Sequence, residues 1–337
     1  MRTLAGLKNV LLFITNQCNL KCEYCYVQQD SQVMDLSLAL KVIDNIDDGT
    51  VIDFFGGEPT LEIDMLQSIV DYAKDNGRQI VFQLFTNGTR FDDKVKKLIE
   101  SGVNPGVSFD GLGSDLRNHN EHTTFKILEN IKKLQKISPN IGVKCAITPQ
   151  TVHYLSDNVR YCVNLGLKKI SHFVLREDVW DDTSLKVFQE QLQQLIPYYI
   201  NNFDVVNLGY FNGLIIENKR EASCWAGREG VAINFNGHLY PCQRFLTNGS
   251  PFIIGNVDHG ITNTIFKRYK IANLVGCPNC EIVNRCNNMC IACQWEHGTM
   301  LKPIDSVCKL TKILFKEIEP LQAIKDKIEE RINNYKR

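Results

Sequence analysis

The chain lacks a charge imbalance, a long hydrophobic run near its start and a histidine beside its first cysteines. Each absence excludes something. Lys plus Arg equals Asp plus Glu at 38 each. No global field is available to attract nucleic acid or an anionic membrane, so neither is expected as a partner. The apolar stretch near the N-terminus, Val10–Ile14, is far too short for a membrane span or a signal peptide. A cytoplasmic location is the expectation. Internal repeats and low-complexity segments are missing too.

What the chain has in excess is cysteine, thirteen in 337 residues. A long chain without an export signal keeps its thiols reduced, which points to metal ligands rather than disulfides. Their distribution is uneven. Three lie within Cys18–Cys25, none in the next 119 residues, and eight between Cys224 and Cys308. Only Cys145 and Cys162 sit alone, in apolar surroundings, and are expected to pack as small hydrophobes.

The length suffices for one large α/β domain and a smaller appendage. Six Val/Ile/Phe-rich runs read as strands: Val10–Ile14, Val51–Phe55, Ile80–Phe85, Gly106–Phe109, Gly142–Ile147 and Ile170–Leu175. Between them, Leu36–Ile46, Thr60–Lys74, Asp92–Ser101, Thr124–Gln135 and Val152–Leu165 carry apolar residues at helical spacing. Asp35 and Thr60 are candidate caps. Six β/α repeats imply a parallel sheet with helical crossovers, closed as a doubly wound sheet or a barrel. Either way, sites lie at the C-terminal strand ends. The first Cys cluster follows strand one, Gly56-Gly57-Glu58-Pro59 strand two, and Thr86–Gly88 strand three. Ser108–Gly111 ends strand four. Asn87 and Asp110 are expected to shape turns. Residues 177–200 read as a helical bridge. Gly, Asn, Cys and Pro then rise between 203 and 308. The tail from Pro303 reads as a solvated cap helix interrupted near Pro320.

Cys18, Cys22 and Cys25 have the spacing C-x3-C-x2-C. Thiolates hold iron–sulfur clusters, and one short loop can wrap a cube of four irons. Three thiolates leave one iron open, where a substrate or cofactor can coordinate. A zinc knuckle would need a fourth ligand, and no His lies nearby. With Tyr24 in the aromatic place, this loop resembles the signature of the radical S-adenosylmethionine (SAM) superfamily. That resemblance implies a partial (β/α)6 TIM-type barrel over residues 1–200. It also implies a [4Fe–4S] cluster whose open iron chelates SAM, and reductive cleavage to a 5′-deoxyadenosyl radical. Gly56, Gly57, Glu58 and Pro59 match the GGEP motif, read as a cradle for the methionyl ammonium with Glu58 as acceptor. Ser108 resembles the strand-four contact to SAM, and Arg117 a downstream partner of the SAM carboxylate.

Taken alone, Cys277, Cys280, Cys286 and Cys290 could be a zinc ribbon. Together with Cys224, Cys242 and Cys308, the pattern resembles the SPASM domain, which binds auxiliary [4Fe–4S] clusters. It is placed here at residues 201–310, with a helical tail at 311–337. The resemblance implies that Cys277, Cys280, Cys286 and Cys308 hold a distal cluster, and Cys224, Cys242 and Cys290 a nearer one. Gly230 stands where many members carry a further Cys. Cys293 is then open to three readings: fourth ligand, hydrogen-atom donor to a substrate radical, or bystander.

The resemblance implies an enzyme acting on a ribosomally made precursor peptide by cross-linking, epimerisation or oxidation, with a flavodoxin or ferredoxin as reductant. With Cys18 so near the start, any leader peptide is expected to be held by the core, the C-terminal domain or a separate protein. Two alternatives stand beside it: a radical SAM dehydrogenase of a small molecule such as an amino sugar, and a non-catalytic zinc or iron–sulfur scaffold.

Overall fold

The apolar runs of the first half become strands because both of their faces are covered. In β1 (Asn9–Thr15), every residue from Val10 to Ile14 is buried. Such a continuous apolar run suits a parallel sheet with cover on both sides. The computed structural model describes residues 2–113, 121–139, 141–176, 178–216, 225–246, 250–265, 276–283, 286, 290–299 and 302–335. They form two compact units.

The first unit comprises Met1–Ser108, Ser114–Ile141 and Trp225–Arg268. Strand β1 pairs in parallel with β2 (Val51–Gly56), which pairs with β3 (Val81–Thr86), which pairs with β4 (Asn104–Ser108). On its other side β1 pairs, also in parallel, with β8 (Gly230–Ile233). The short strands β9 (His238–Tyr240), β10 (Gly255–Asn256) and β11 (Gly260–Ile261) extend that side in antiparallel fashion. Helix α1 (Leu36–Asn45) starts where expected, because the Asp35 carboxylate accepts the Ser37 amide at 2.7 Å. It stops against Arg78, whose guanidinium donates to the Ile43 and Ile46 carbonyls at 2.5 and 2.7 Å. A cation there suits the negative end of the helix dipole. Helix α3 (Asp93–Glu100) is capped likewise by Asp92.

The expected cap at Thr60 is a correction. Residues Pro59–Glu62 form a 3-10 turn before α2 (Ile63–Asp75), and the side chain that caps this turn belongs to Glu58. Thr60 is a donor there, through its amide and its hydroxyl, because the carboxylate two residues earlier is the stronger acceptor.

The second unit comprises Phe109–Gly113, Gly142–Cys224 and Tyr269–Arg337. Its parallel strands are β5 (Gly142–Ile147), β6 (Lys169–Val174) and β7 (Asn207–Leu208). The expected helix over 152–165 is a 3-10 turn followed by α5 (Leu155–Asn164), and the bridge is α6 (Asp182–Asn201), capped by Asp181. Cys145 and Cys162 are core residues, 1% and 0% exposed.

The tail is not a solvated cap. Its first helix (Asp305–Glu317) buries Val307, Leu310, Leu314 and Phe315 and packs along α6. Lys309 reaches Asp182 at 2.8 Å, and Gln189 donates to Glu317 at 2.6 Å. Each buried apolar side chain contributes roughly 2 kcal/mol of transfer free energy, which outweighs these exposed pairs. The last helix (Lys325–Tyr335) is anchored by Arg331, whose guanidinium donates to the Val206 carbonyl at 2.8 Å and lies 3.7 Å over the Phe203 ring. High charge at the terminus conceals this apolar stripe.

Candidate active site

Three motifs meet at the C-terminal ends of β1, β2 and β3, and glycine is what lets them meet. A Cβ on Gly56, whose φ is 143°, would lie 2.2 Å from the Thr15 carbonyl oxygen. One on Gly57 would lie 2.1 Å from the Gln17 carbonyl oxygen. Both clashes are with backbone, which cannot swing aside. In their absence the Gly57 amide donates to Thr15 O at 2.7 Å and the Glu58 amide to Gln17 O at 2.8 Å. The turn after β2 is thereby zipped to the three residues that lead into Cys18.

The Glu58 side chain is 1% exposed and takes four donors. Its Oε1 accepts the Thr60 amide, the Thr60 hydroxyl and the Thr86 hydroxyl at 3.1, 2.5 and 2.8 Å. Its Oε2 accepts the Asn87 amide at 2.7 Å. Burial pushes its pKa up, and the four donors oppose that shift. Three of these donors fall on Oε1 and one on Oε2, and together they lock the turn after β2 to the end of β3. Pro59 is buried and opens the 3-10 turn.

Cys18 is half-buried, Cys22 half-buried and Cys25 exposed. The Cys25 amide closes a turn on the Cys22 carbonyl at 3.1 Å. Burial raises the Cys18 thiol above its ordinary pKa. The Leu20 amide at 3.4 Å and the Asn87 side chain at 3.8 Å act against that, while the charges of Glu58 and Cys25 add to it. Soft thiol donors of one loop, close enough to repel as thiolates, fit an iron–sulfur cluster, whose irons would neutralise them. Tyr24 is half-buried in the same loop, and Ser108 is half-buried at the last position of β4. Arg117 lies outside the described residues.

Sequence reasoning missed the partners of this site: Asn19, Thr86, Thr89 and the second role of Asn87. The signal available was a polar Thr-Asn-Gly-Thr run at a strand end. Asp110 does shape its turn: its carboxylate accepts the Ala146 amide at 2.7 Å and its carbonyl the Asn158 side chain at 2.9 Å.

In the second unit, Cys277, Cys280, Cys286 and Cys308 line one pocket, closed by Ile282, Val283 and Thr311. The loop winds through turns in which the Cys280 amide meets the Cys277 carbonyl at 2.9 Å and the Cys286 amide the Ile282 carbonyl at 2.7 Å. Cys308 enters from the first turns of the Asp305–Glu317 helix. Burial pushes its thiol up to about 11, helped by the charges of Cys277, Cys286 and Cys280. Among the described residues no three His, Cys, Asp or Glu side chains converge as tightly as one metal ion needs. A cluster asks for a wider ring, since each thiolate meets a different iron of the cube, and four thiols round one pocket fit that.

Cys242 belongs to the first unit, half-buried ahead of a 3-10 turn, and Cys224 lies outside the described residues. A Cβ on Gly230 would stand 2.2 Å from the Trp225 ring, so a side chain there would have to displace that ring. Cys290 immediately precedes helix α8 (Ile291–Glu296), and Cys293 is 3% exposed with its sulfur 3.8 Å from Nδ1 of His297. The Arg176 guanidinium donates to the Tyr210 hydroxyl at 3.2 Å. Burial lowers its pKa, but Tyr210, Cys290 and Cys293 outweigh that and hold it above the usual value.

A family model described as the radical SAM superfamily matches residues 12–162. The tungsten-containing aldehyde ferredoxin oxidoreductase cofactor-modifying protein of Pyrococcus furiosus is 30% identical over 282 residues, 74% of this chain and 74% of its own. The cysteine-type anaerobic sulfatase-maturating enzyme of Clostridium perfringens is 22% identical over 351 residues, 90% of this chain and 94% of its own. The solved structure of native anSMEcpe with bound AdoMet and the Cp18Cys peptide matches with a TM-score of 0.76 at 20% identity, over 95% of this chain and 99% of that one.

This chain belongs to the radical SAM superfamily. Within it, the cysteine-rich C-terminal region makes it an enzyme of the SPASM type, on the α/β fold expected of a partial barrel. The cofactors of the family are a [4Fe–4S] cluster and SAM. No helix among the described residues is long and apolar enough to cross a membrane.

Proposed function

We propose that this enzyme modifies a peptide, through hydrogen abstraction that leads to a cross-link, an inverted centre or an oxidised side chain. The observation that carries the reading is the whole-length match to a sulfatase-maturating enzyme solved with a peptide bound. It runs through the first half and the cysteine-rich region alike. When bound, the cluster and SAM together supply a 5′-deoxyadenosyl radical that takes a hydrogen atom from substrate.

The chain's own residues have separate tasks in this reading. Cys18, Cys22 and Cys25 hold the SAM-binding cluster. Gly56, Gly57 and Pro59 form the turn that meets the methionyl group, and Glu58 fixes that turn. Tyr24, Ser108 and Arg117 contribute to the SAM site. Cys277, Cys280, Cys286 and Cys308 hold the distal auxiliary cluster, and Cys224, Cys242 and Cys290 the nearer one. Gly230 offers no thiol, and Cys293, three residues after Cys290, is the candidate fourth ligand. The SAM half is assigned to residues 1–200, the auxiliary half to 201–310 and the helical tail to 311–337, in a cytoplasmic protein reduced by a flavodoxin or ferredoxin.

The test is anaerobic turnover with SAM, dithionite and each short peptide encoded beside the gene. The expected result is a peptide mass change with formation of 5′-deoxyadenosine. Turnover of an amino sugar, with every peptide left unchanged, would contradict the peptide reading.

A further inference from the structure

The Thr86–Thr89 run does more than turn the chain. A turn at this position needs only an acceptor, and Oδ1 of Asn87 provides it, taking the Thr89 amide at 3.0 Å and the Thr89 hydroxyl at 2.7 Å. Those two donors fix which end of the amide is oxygen, so the nitrogen must face the other way. It faces the cluster loop. Nδ2 donates to Oδ1 of Asn19 at 2.8 Å and lies 3.8 Å from the Cys18 sulfur. Nδ2 of Asn19 returns to the Thr89 hydroxyl at 2.8 Å. Asn87, Asn19 and Thr89 therefore close a ring of hydrogen bonds in which no group can rotate alone. Asn87 is 7% exposed, and its own amide is held by Glu58.

We propose that Asn87 is a positioning residue that sets the reduction potential of the cluster held by Cys18, Cys22 and Cys25. The inference rests on the assignment of those three thiols to the cluster. Reduction adds negative charge that spreads onto the sulfurs. A donor fixed beside a sulfur therefore stabilises the reduced form more than the oxidised form. The Leu20 amide and the Asn87 side chain both donate to the Cys18 sulfur, one from its own loop and one from the turn after β3. Asn87 thus joins the cluster loop and the glutamate turn, its side chain on the first and its main chain on the second.

The test is a potentiometric titration of the full, anaerobically reconstituted chain. It follows the electron paramagnetic resonance signal that changes when SAM is added. Asn87→Ser keeps a short acceptor for the turn and loses the reach to sulfur. The expected result is an unchanged iron count and a midpoint lower by ~59 mV, about a tenfold loss in the one-electron reduction equilibrium. Asn87→Asp keeps the Oδ1 acceptor in place, replaces the donor by a charge and is expected to fall further. A wild-type midpoint in both variants overturns the proposal. So does loss of the SAM-responsive cluster in both with the C-terminal clusters retained, since Asn87 would then serve assembly. A wild-type chain with no SAM-responsive signal would instead sink the assignment of Cys18, Cys22 and Cys25.

Discussion

The two cysteine sites are built by opposite means. At Cys18 the surroundings are interlocked before any cluster arrives: two glycines admit a backbone zipper, Glu58 takes four donors, and Asn87 closes a ring with Asn19 and Thr89. At Cys277 the pocket is made of four thiols with Ile282, Val283, Thr311 and Lys312, shaped by short backbone turns and one helix. The Cys277 and Cys308 thiols, held above their usual pKa by burial and by neighbouring thiols, gain most from a metal that neutralises them. The first site is held by the chain's own polar network; the second is expected to depend on a bound cluster.

Gly57→Ala should have the largest effect, because it strikes the first site at backbone. The added Cβ meets the Gln17 carbonyl at 2.1 Å. The end of β2 must move away from residues 15–17, at a cost of roughly 3 kcal/mol in stability. Urea unfolding should register that loss, and 5′-deoxyadenosine formation should fall to background. Normal stability and cleavage would show that the zipper does not matter.

Removing iron sharpens the contrast. Chelation should speed amide exchange over residues 277–283 and the Asp305–Glu317 helix. The ends of β1, β2 and β3 should keep their protection. Equal loss at both sites would erase the distinction.

Glu58→Gln is a smaller change at the first site. The shape is kept, but one oxygen becomes a donor facing donors. A hydrogen-bonded buried charge is replaced, and the expected cost is about 2 kcal/mol. Thermal unfolding of the pair at one pH measures it.

A last effect, spread over a pH range, lies away from both sites. His172, 2% exposed on β6, has no hydrogen-bond partner at Nε2 among the described residues, and burial lowers its pKa to about 4. The folded state keeps it neutral, while the unfolded chain takes up a proton near the ordinary value of about 6.5. Its contribution is therefore fully present above about 6.5 and is lost as pH falls from there towards 4, up to about 3 kcal/mol in all. Stability measured between those limits should fall less steeply in His172→Leu than in wild type.

Strand and helix placement was legible wherever apolar periodicity was strong, as in β1, β5 and the helix after Asp35. The motifs at the strand ends were legible too, because Cys18, Cys22, Cys25 and Gly56–Pro59 have spacings that few other structures need. What was hidden has a physical cause in each case. Thr60 carries a cap-like side chain, yet the carboxylate of Glu58 outcompetes it. Charge on the tail masks the stripe of Val307, Leu310 and Leu314. The role of Asn87 depends on two strand ends coming together, which no local pattern encodes.

The proposed chemistry depends most on Cys18, Cys22 and Cys25 being the ligands of the SAM-cleaving cluster. Replacing all three by Ala and reconstituting anaerobically tests this directly. Wild type should hold about twelve irons per chain, from three four-iron clusters, and the variant about eight. The variant should form no 5′-deoxyadenosine from SAM and dithionite. Undiminished 5′-deoxyadenosine from the variant, or stoichiometric zinc with little iron in wild type, would contradict it.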